Sequence, residues 1–249
     1  MCRDCKELAR RNLYTFASRI IELPNKDKYV KQDLLTPSFL LERKEGISIF
    51  YAAHNDIINE KARVFIIGIT PGWTQMERSI HTARRHLLSG LSIEETAQRT
   101  KHECRFFGSM RQNLISMLNE LDLTSYLGIR DCDELFQSKQ HLLHTTSLIK
   151  HPVFVNEKNY SGHQPNLLKE ELFTHYLTCF FQQEVKALQE ALIIPLGKAV
   201  EDGLKQMGIP PERCLFGFPH PSGANGHRRR QFTERQELLK AKIGEFFSG

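Results

Sequence analysis

A run of four apolar, β-favouring residues, Val-Phe-Ile-Ile at 64–67, constrains the fold of this chain more than any other feature. The run ends at Gly68 and contains no polar residue, as expected of a parallel strand that is buried on both faces. Further strands are predicted at 141–149, 191–196 and 214–218, with helical patterns between them. Strands that alternate with helices form a parallel sheet covered by helices on both faces. The sequence therefore predicts an α/β fold with a central four-stranded, mainly parallel sheet.

The distribution of glycine and proline predicts one domain over residues 1–249. Both residue types are scattered along the 249 residues rather than gathered into a linker, and no internal repeat is present. Residues 61–247 form the predicted core, and residues 1–60 are predicted to pack on it as a helical extension. The helical pattern in that extension reaches only about residue 23. A long amphipathic helix is also predicted at 167–190.

Charge and hydropathy exclude a membrane protein but say little about a polyanionic partner. The chain has 34 Lys and Arg against 29 Asp and Glu, a formal net charge of +5, which is only weakly basic. Its first fifteen residues are rich in charged side chains, and no apolar run approaches the roughly 18 residues of a membrane span. We therefore expect a cytoplasmic protein without a membrane partner.

Two loops stiffened by glycine and proline follow predicted strands. The first is Gly-Ile-Thr-Pro-Gly-Trp at 68–73, and the second is Phe-Pro-His-Pro-Ser-Gly at 218–223. Either loop alone is equally well interpreted as a tight turn. Ligands of parallel α/β sheets bind beyond the carboxyl ends of the strands, which is where both loops are predicted to lie. Their unusual residues are therefore candidates for a binding site.

Taken in this order, the two loops resemble the signature motifs of the uracil-DNA glycosylase superfamily. The first loop resembles that family's Gly-x-(Asp/Asn/Ala)-Pro motif, and the second resembles its His-Pro-Ser motif. Three segments between them, at 105–108, 146–150 and 194–198, resemble its Phe-x-Gly, Thr-Asn-Val-Val-Lys and Leu-Gly-Lys segments. The resemblance covers residues 61–247 and is strongest to the bacterial and archaeal branch that often carries an iron–sulfur cluster.

This resemblance implies a monofunctional DNA glycosylase. Such an enzyme flips a base out of DNA, hydrolyses its N-glycosidic bond and leaves an abasic site, with no cofactor required for the chemistry and no obligate protein partner. Bond cleavage leaves an anionic base, and His220 is implied to donate a hydrogen bond to a base oxygen while Phe106 stacks on the base. The other implied substrate-pocket residues are Gly68, Ile69, Pro71, Gly72, Trp73, Ser147 and Lys150. The implied DNA-binding residues are Ser222, Gly223, Asn225, Arg228, Arg229 and Arg230.

The chain departs from the family at the residue that positions the attacking water. Many members have Asp or Asn where this chain has Thr70, whose hydroxyl can orient water but cannot act as a base at neutral pH. Glu77 is the nearest carboxylate and a candidate to take over this role, although a solvated helix residue is the preferred interpretation of it. Loss of a general base costs about 10²–10⁴-fold, so activity is still expected.

A second departure concerns the base that is recognised. Members that read uracil present an Asn amide where this chain has Ser147. Small residues at 70 and 147 leave room for a larger pyrimidine, and a bulky modified cytosine of phage DNA, such as glucosylated hydroxymethylcytosine, is one candidate. That substrate would make the chain an antiphage defence enzyme.

The cysteines allow a structural metal by resemblance. Cys2 and Cys5 resemble the Cys-x-x-Cys pair of the cluster-bearing branch, His151 lies where that branch has its third Cys, and Cys179 lies near the position of the fourth. These four residues are candidate ligands of an iron–sulfur cluster or zinc. Free, reduced cysteines are the alternative.

Three other functions stay open at this stage. The chain is alternatively a repair glycosylase for uracil or other deaminated bases, or a protein that binds modified DNA without catalysis. A third class is a nucleotide- or phosphate-processing α/β enzyme, because fold alone does not decide function. Individual residues have structural interpretations as well: a loop histidine at 220, core aromatics at 73 and 106, and a solvated helix face at 228–230.

Overall fold

The computed structural model describes Cys5 and residues 10–248. These residues form two compact units, each made of three separate stretches of chain. One unit contains the described residues up to Ile58 together with Thr70–Arg105 and Ile149–Val185, and we call it the antiparallel unit. The other contains Asn59–Ile69, Phe106–Leu148 and the described residues from Lys186 onward, and we call it the parallel unit. The assignment of residues 1–249 to one domain stays a prediction.

Groups of strands and groups of helices follow one another along the described part of the chain. The strands are β1 Leu40–Lys44, β2 Ile47–Phe50, β3 Val64–Gly68, β4 Leu143–Ser147, β5 Val153–Val155, β6 Lys158–Asn159 and β7 Leu192–Pro195. The first six α-helices are α1 Leu13–Ile21, α2 Lys31–Leu34, α3 Trp73–Leu88, α4 Ile93–Cys104, α5 Gly108–Glu120 and α6 Leu123–Leu127. The others are α7 Glu171–Tyr176, α8 Gln182–Ala187, α9 Lys198–Gln206, α10 Arg228–Thr233 and α11 Gln236–Ser248.

The parallel unit is built on three strands in the order β4-β3-β7. Both neighbours run parallel to β3, with Ile66 opposite Thr145 on one side and opposite Ile194 on the other. The first four residues of β3 are fully buried, which explains why they carry no polar side chain. The predicted α/β class and parallel sheet are confirmed.

The predicted fourth strand, at 214–218, is wrong as a strand. Cys214 makes one isolated parallel bridge to Ile193, and the amide of Leu215 donates to the Ile193 carbonyl at 2.8 Å. Gly217 then adopts a left-handed conformation with φ +92°, which ends the extended backbone. The sheet therefore has three strands, and the segment that leads to residue 219 leaves it early.

The antiparallel unit contains a four-stranded sheet that the sequence pattern did not predict, in the order β1-β2-β5-β6. Its two outer hairpins close through two-residue turns, Glu45-Gly46 and Asn156-Glu157, in which all four residues have positive φ. Such turns match the twist of the strands that they join. Because β1 and β2 lie within residues 1–60, the prediction of a helical extension over that stretch is wrong for residues 40–50.

The helices are shorter than predicted. Helix α1 begins after Asn12, whose side chain accepts a hydrogen bond from the Tyr14 amide. The helix buries Leu13, Phe16 and Ile20. The helix predicted at 167–190 is α7 and α8 joined by a π-helical turn at Leu177–Phe181. Among the described residues, no helix combines the length and the apolar character that a membrane crossing requires.

Candidate functional site

The carboxyl ends of β3 and β4 place two small residues side by side in the parallel unit. Gly68 is the register partner of Ser147, and the Leu148 amide donates to the Gly68 carbonyl at 2.9 Å. A Cβ built on Gly68 would lie 3.4 Å from the Ser147 hydroxyl, which is ordinary van der Waals contact, so the two residues are close neighbours. Both residues lie at the sheet edge where ligands of parallel α/β folds bind. Ile69, the residue that follows Gly68, is half-buried.

The third strand end brings His220 close to the turn after β7. Gly197 occupies that turn with φ +87°, and a Cβ built on it would lie 3.1 Å from the Cβ of His220. The Gly197 amide also donates to the carbonyl of Phe218 at 3.2 Å. The turn between β7 and α9 is therefore packed directly against the residue that the sequence analysis selected as catalytic.

Local hydrogen bonding fixes the protonation pattern of the His220 ring. The Ser222 amide donates to Nδ1 at 3.2 Å, so Nδ1 is the acceptor nitrogen and a neutral ring carries its proton on Nε2. Burial lowers the pKa of His220 from its usual value, because desolvation disfavours the imidazolium. At neutral pH the ring is thus a neutral donor through Nε2–H.

Three side chains hold the loop around His220 in place. Asn225 donates through Nδ2 to the His220 carbonyl at 3.2 Å, and Asn113 on α5 donates to the Pro221 carbonyl at 2.9 Å. Arg228 donates to the Ser222 carbonyl at 2.9 Å. Two predicted DNA-binding residues, Asn225 and Arg228, therefore brace the loop. Ser222 accepts the Ala224 amide through its hydroxyl oxygen at 3.1 Å and keeps its hydroxyl proton for another acceptor.

The other two arginines at the start of α10 are already engaged in ion pairs. Arg229 contacts both carboxylate oxygens of Glu120 at 2.7 Å, and Arg230 lies 3.7 Å from Glu234. These pairs are exposed and therefore weak, so a phosphate can compete for the same guanidinium groups. Gly223 is exposed beside them.

Phe106 has a strained backbone. Its φ of +39° lies in the left-handed region that bulky residues seldom adopt, and Arg111 donates to its carbonyl at 2.6 Å. The ring is partly buried against the apolar core of the parallel unit. Strain of this kind is often retained at functional sites. The position suits a stacking role, although the core contacts account for part of its burial.

A cavity of about 290 Å³ lies next to His220 within the parallel unit. Its charged and amide lining comes from α9, α10 and the segments after them: Lys198, Glu201, Asn225, Gln231 and Arg235. The carboxylate of Glu201 already has partners within the protein, since it accepts a hydrogen bond from the Gly217 amide at 2.7 Å and pairs with Lys205. Lys198 is likewise paired with Asp202, so the lining offers amide groups and the guanidinium of Arg235 to a polar ligand.

Thr70 of the first loop belongs to the antiparallel unit, and its predicted role in positioning water is not supported. Its hydroxyl donates to the His151 carbonyl at 2.8 Å and accepts the Val153 amide at 3.1 Å. Both contacts satisfy main-chain groups at the start of β5. The proton that would hold a water is thus already used, and Thr70 has a structural role.

Two other residues of the predicted site, Glu77 and Lys150, interact with groups inside the antiparallel unit. Glu77 is buried on α3 and accepts the Tyr29 amide at 3.1 Å, so it is neither a solvated residue nor a free base. Lys150 lies 3.5 Å from the buried carboxylate of Asp56 and 4.7 Å from the ring of Phe180. Its ammonium therefore points into the antiparallel unit, and the predicted contact with substrate is not supported.

The remaining residues of the first loop lead into α3, which begins at Trp73. Pro71 is buried, while Gly72 and Trp73 are half-buried. The Trp73 amide donates to Oδ1 of Asn159 at 3.0 Å, and a Cβ on Gly72 would lie 3.5 Å from Nδ2 of the same side chain. Sequence reasoning missed Asn159, because nothing local marks β6 as a strand. It also missed Gly197 as a packing partner of His220, although the Leu-Gly-Lys segment had identified the turn.

The predicted metal ligands do not form a metal site in this arrangement. Cys5 and Cys179 are joined in a disulfide, so the expectation of free thiols is wrong for this pair, and Cys2 lies outside the described residues. His151 is buried with its ring 5.7 Å from that of Tyr51, and its Nδ1 lacks a hydrogen-bond partner. Within Cys5 and residues 10–248, no group of three His, Cys, Asp or Glu residues could hold a metal ion. The described residues do not fit a cluster or zinc, and a metal stays a prediction.

Comparison with known proteins gives one relative and no family model. No protein-family model matches the chain. A Bacillus subtilis (strain 168) protein named "Uncharacterized protein YoxB" is 42% identical over 239 residues, which cover 94% of this chain and 93% of that protein. Identity of this level over nearly the full length of both proteins is typical of members of one family.

Proposed function

The chain belongs to the family of the Bacillus subtilis protein YoxB, and we propose that it is a monofunctional DNA glycosylase. It flips a base out of DNA, hydrolyses the N-glycosidic bond and leaves an abasic site, with a fold of the uracil-DNA glycosylase type. The observation that carries the proposal is the state of His220: a neutral ring with its proton on Nε2, held at the edge of a parallel sheet by Gly197 and Ser222.

A neutral donor of this kind suits the charge that develops in the reaction. Cleavage of the bond gives a cationic sugar and an anionic base, and a fixed N–H donor at a base oxygen stabilises that anion. His220 would not have to lose or gain a proton to do so. Since its loop is braced by Asn113, Asn225 and Arg228, the donor is already oriented before the reaction begins.

Water attack in this proposal proceeds without a protein base. Thr70 and Glu77 are both occupied by main-chain groups, and neither is available to remove a proton. A sugar cation reacts readily with neutral water, so the cost falls within the usual contribution of a general base, about 10²–10⁴-fold. We therefore expect a slow enzyme rather than an inactive one.

The substrate we propose is a modified pyrimidine. At the strand ends, Gly68 and Ser147 offer a hydrogen atom and a hydroxymethyl group, and no Asn amide is present to select uracil. A bulky modified cytosine of phage DNA, such as glucosylated hydroxymethylcytosine, is the candidate, and antiphage defence is the corresponding role. DNA is the partner, and we expect the protein to act in the cytoplasm.

The test is release of free base from a panel of DNAs. Phage DNAs with different pyrimidine modifications, unmodified DNA and uracil-containing DNA are incubated with the protein, and both free base and alkali-labile sites are measured. We expect release from a modified DNA and a loss of about 10²–10³-fold in His220→Ala. The matched control is His227→Ala, an exposed histidine on the same segment, which should retain the native rate.

One alternative is favoured by a specific observation. Thr70 and Glu77 both form hydrogen bonds with main-chain groups, and a binding protein without catalysis would also show these bonds. Such a protein would bind modified DNA and produce no alkali-labile sites. Release of uracil alone would instead indicate a repair glycosylase. The glycosylase proposal would be removed if the protein released no base from any DNA but acted on free nucleotides.

A further inference from the structure

The β5–β6 hairpin contacts the first loop at two points, both within the antiparallel unit. Near the start of the hairpin, the Val153 amide donates to Thr70. At its far end, Asn159 accepts the amide of Trp73 at 3.0 Å. The hairpin therefore holds the loop at its third and last residues, Thr70 and Trp73.

Asn159 supplies a helix cap that the local sequence lacks. Helix α3 begins at Trp73, and its N-cap residue is Gly72, which has no side chain to accept the first free amides. A Cβ at position 72 would lie 3.5 Å from Asn159, so the absence of a side chain there lets Asn159 approach. The cap comes from 86 residues further along the chain.

The hairpin itself is anchored away from the loop. The Asn156 amide in its turn donates to the Gly46 carbonyl at 2.9 Å, and Val155 lies opposite Ile47 in the sheet. Asn159 is exposed, so its contact with Trp73 is not needed to fill a core. A rigid support with an exposed polar end is suited to orienting a neighbouring side chain.

Trp73 is the residue that this support orients. It is the single tryptophan of the chain, and it is half-buried at the first position of α3. We propose that Asn159 is a positioning residue that fixes the backbone of Trp73, so that the indole stacks on a base of bound DNA. Indole faces stack on any base, which makes the contact independent of sequence. This inference rests on the proposed function, because it requires DNA as the ligand.

The experiment uses the fluorescence of Trp73, which reports on this loop alone. Emission and acrylamide quenching are measured for the native protein, for Asn159→Ala, for Asn159→Asp and for Lys158→Ala, with and without phage DNA of each modification class. Asn159→Asp keeps the carbonyl-type oxygen that accepts the amide, and Lys158→Ala alters the neighbouring exposed residue of β6. Thermal unfolding of each variant shows whether it is folded.

We expect DNA to quench or shift Trp73 emission in the native protein. Asn159→Ala should raise acrylamide quenching and weaken DNA binding, and the other two variants should match the native quenching. Trp73→Ala should weaken DNA binding by about tenfold, the loss of one stacking contact. Base release with unchanged Trp73 emission would overturn this inference alone, as would an Asn159→Ala variant with native quenching. Failure of every DNA to bind would overturn the proposed function as well.

Discussion

Two polar residues in similar loops, Thr70 and His220, differ in their hydrogen-bond partners. Each follows a predicted strand and precedes a proline, and the resemblance to glycosylase motifs implied a chemical role for both. The Thr70 hydroxyl satisfies two main-chain groups of the antiparallel unit, whereas the His220 ring accepts one hydrogen bond, at Nδ1, and keeps Nε2–H for donation. The partners of Thr70 lie 81 and 83 residues away along the chain, whereas the partner of the His220 ring lies two residues away.

The role of Thr70 predicts a loss of stability rather than of catalysis. Thr70→Val leaves the His151 carbonyl and the Val153 amide without their partner, and we expect the free energy of unfolding to fall by about 1–3 kcal/mol. Thr70→Ser keeps the hydroxyl and should lose much less. At temperatures below the onset of unfolding, both variants should release base at a rate within tenfold of the native rate. A loss of 10²-fold or more in Thr70→Val at native stability would instead indicate a catalytic hydroxyl.

The turn between β7 and α9 shows how an element boundary controls the site. Gly197 combines a positive φ with a Cβ position that faces His220. The first feature requires glycine on conformational grounds, and the second leaves no room for a methyl group. A short strand that ends in such a turn therefore sets the distance between the sheet and the loop that contains His220.

We predict that Gly197→Ala reduces base release more than its stability loss explains. The matched control is Gly208→Ala, which follows α9, has φ +69° and has no atom within 4 Å of the added methyl. Gly208→Ala should lose about 1–2 kcal/mol from its positive φ. Gly197→Ala should lose up to about 3 kcal/mol, because φ +87° with ψ 172° is a backbone region essentially restricted to glycine. Only Gly197→Ala should displace His220 and lower the rate. Equal rates in the two variants, measured by free-base chromatography, would show that the contact with His220 is unimportant.

The folding stability of the whole molecule depends on a buried polar cluster in the antiparallel unit. His54 is buried without a hydrogen-bond partner for either ring nitrogen, and burial together with Lys101 and Lys150 lowers its pKa to about 3. Burial likewise lowers the pKa of His151. Asp56, buried in the same cluster, accepts from Tyr51 at 2.6 Å, and burial raises its pKa. The folded protein thus keeps these histidines neutral.

This cluster predicts that the protein becomes less stable as the pH falls. Between its unfolded pKa near 6.5 and its folded pKa of about 3, His54 binds a proton in the unfolded state and not in the folded state. The free energy of unfolding therefore falls through this window, by up to about 1.4 kcal/mol per pH unit for each such histidine. The raised pKa of Asp56 acts in the opposite direction at the acid end and reduces the slope.

Urea unfolding at pH 7.5, 6.5 and 5.5 measures this slope. His54→Gln removes one titrating group and should flatten the dependence, while His227→Gln, at an exposed histidine, should leave it unchanged. An unchanged slope in His54→Gln would mean that other groups govern the acid sensitivity.

The sequence by itself determined the elements whose signal is local. A run of apolar residues such as 64–67 can only be buried on both faces, and a glycine or proline after such a run ends the strand, so β3, β7 and the loops that follow them were predictable. The loop around His220 was predictable for the same reason, because the bond from Ser222 to its ring spans two residues.

The tertiary structure alone decided the contacts between residues far apart in the chain. The antiparallel sheet has strands of two to five residues with mixed polarity, too short for a periodic pattern, and it forms only when hairpins from 40–50 and 153–159 pair. The Cys5–Cys179 disulfide spans 174 residues, and the partners of Thr70 and Lys150 lie up to 94 residues away. Periodicity reports which face of an element is buried, whereas the partner across that face is fixed only when the chain has folded.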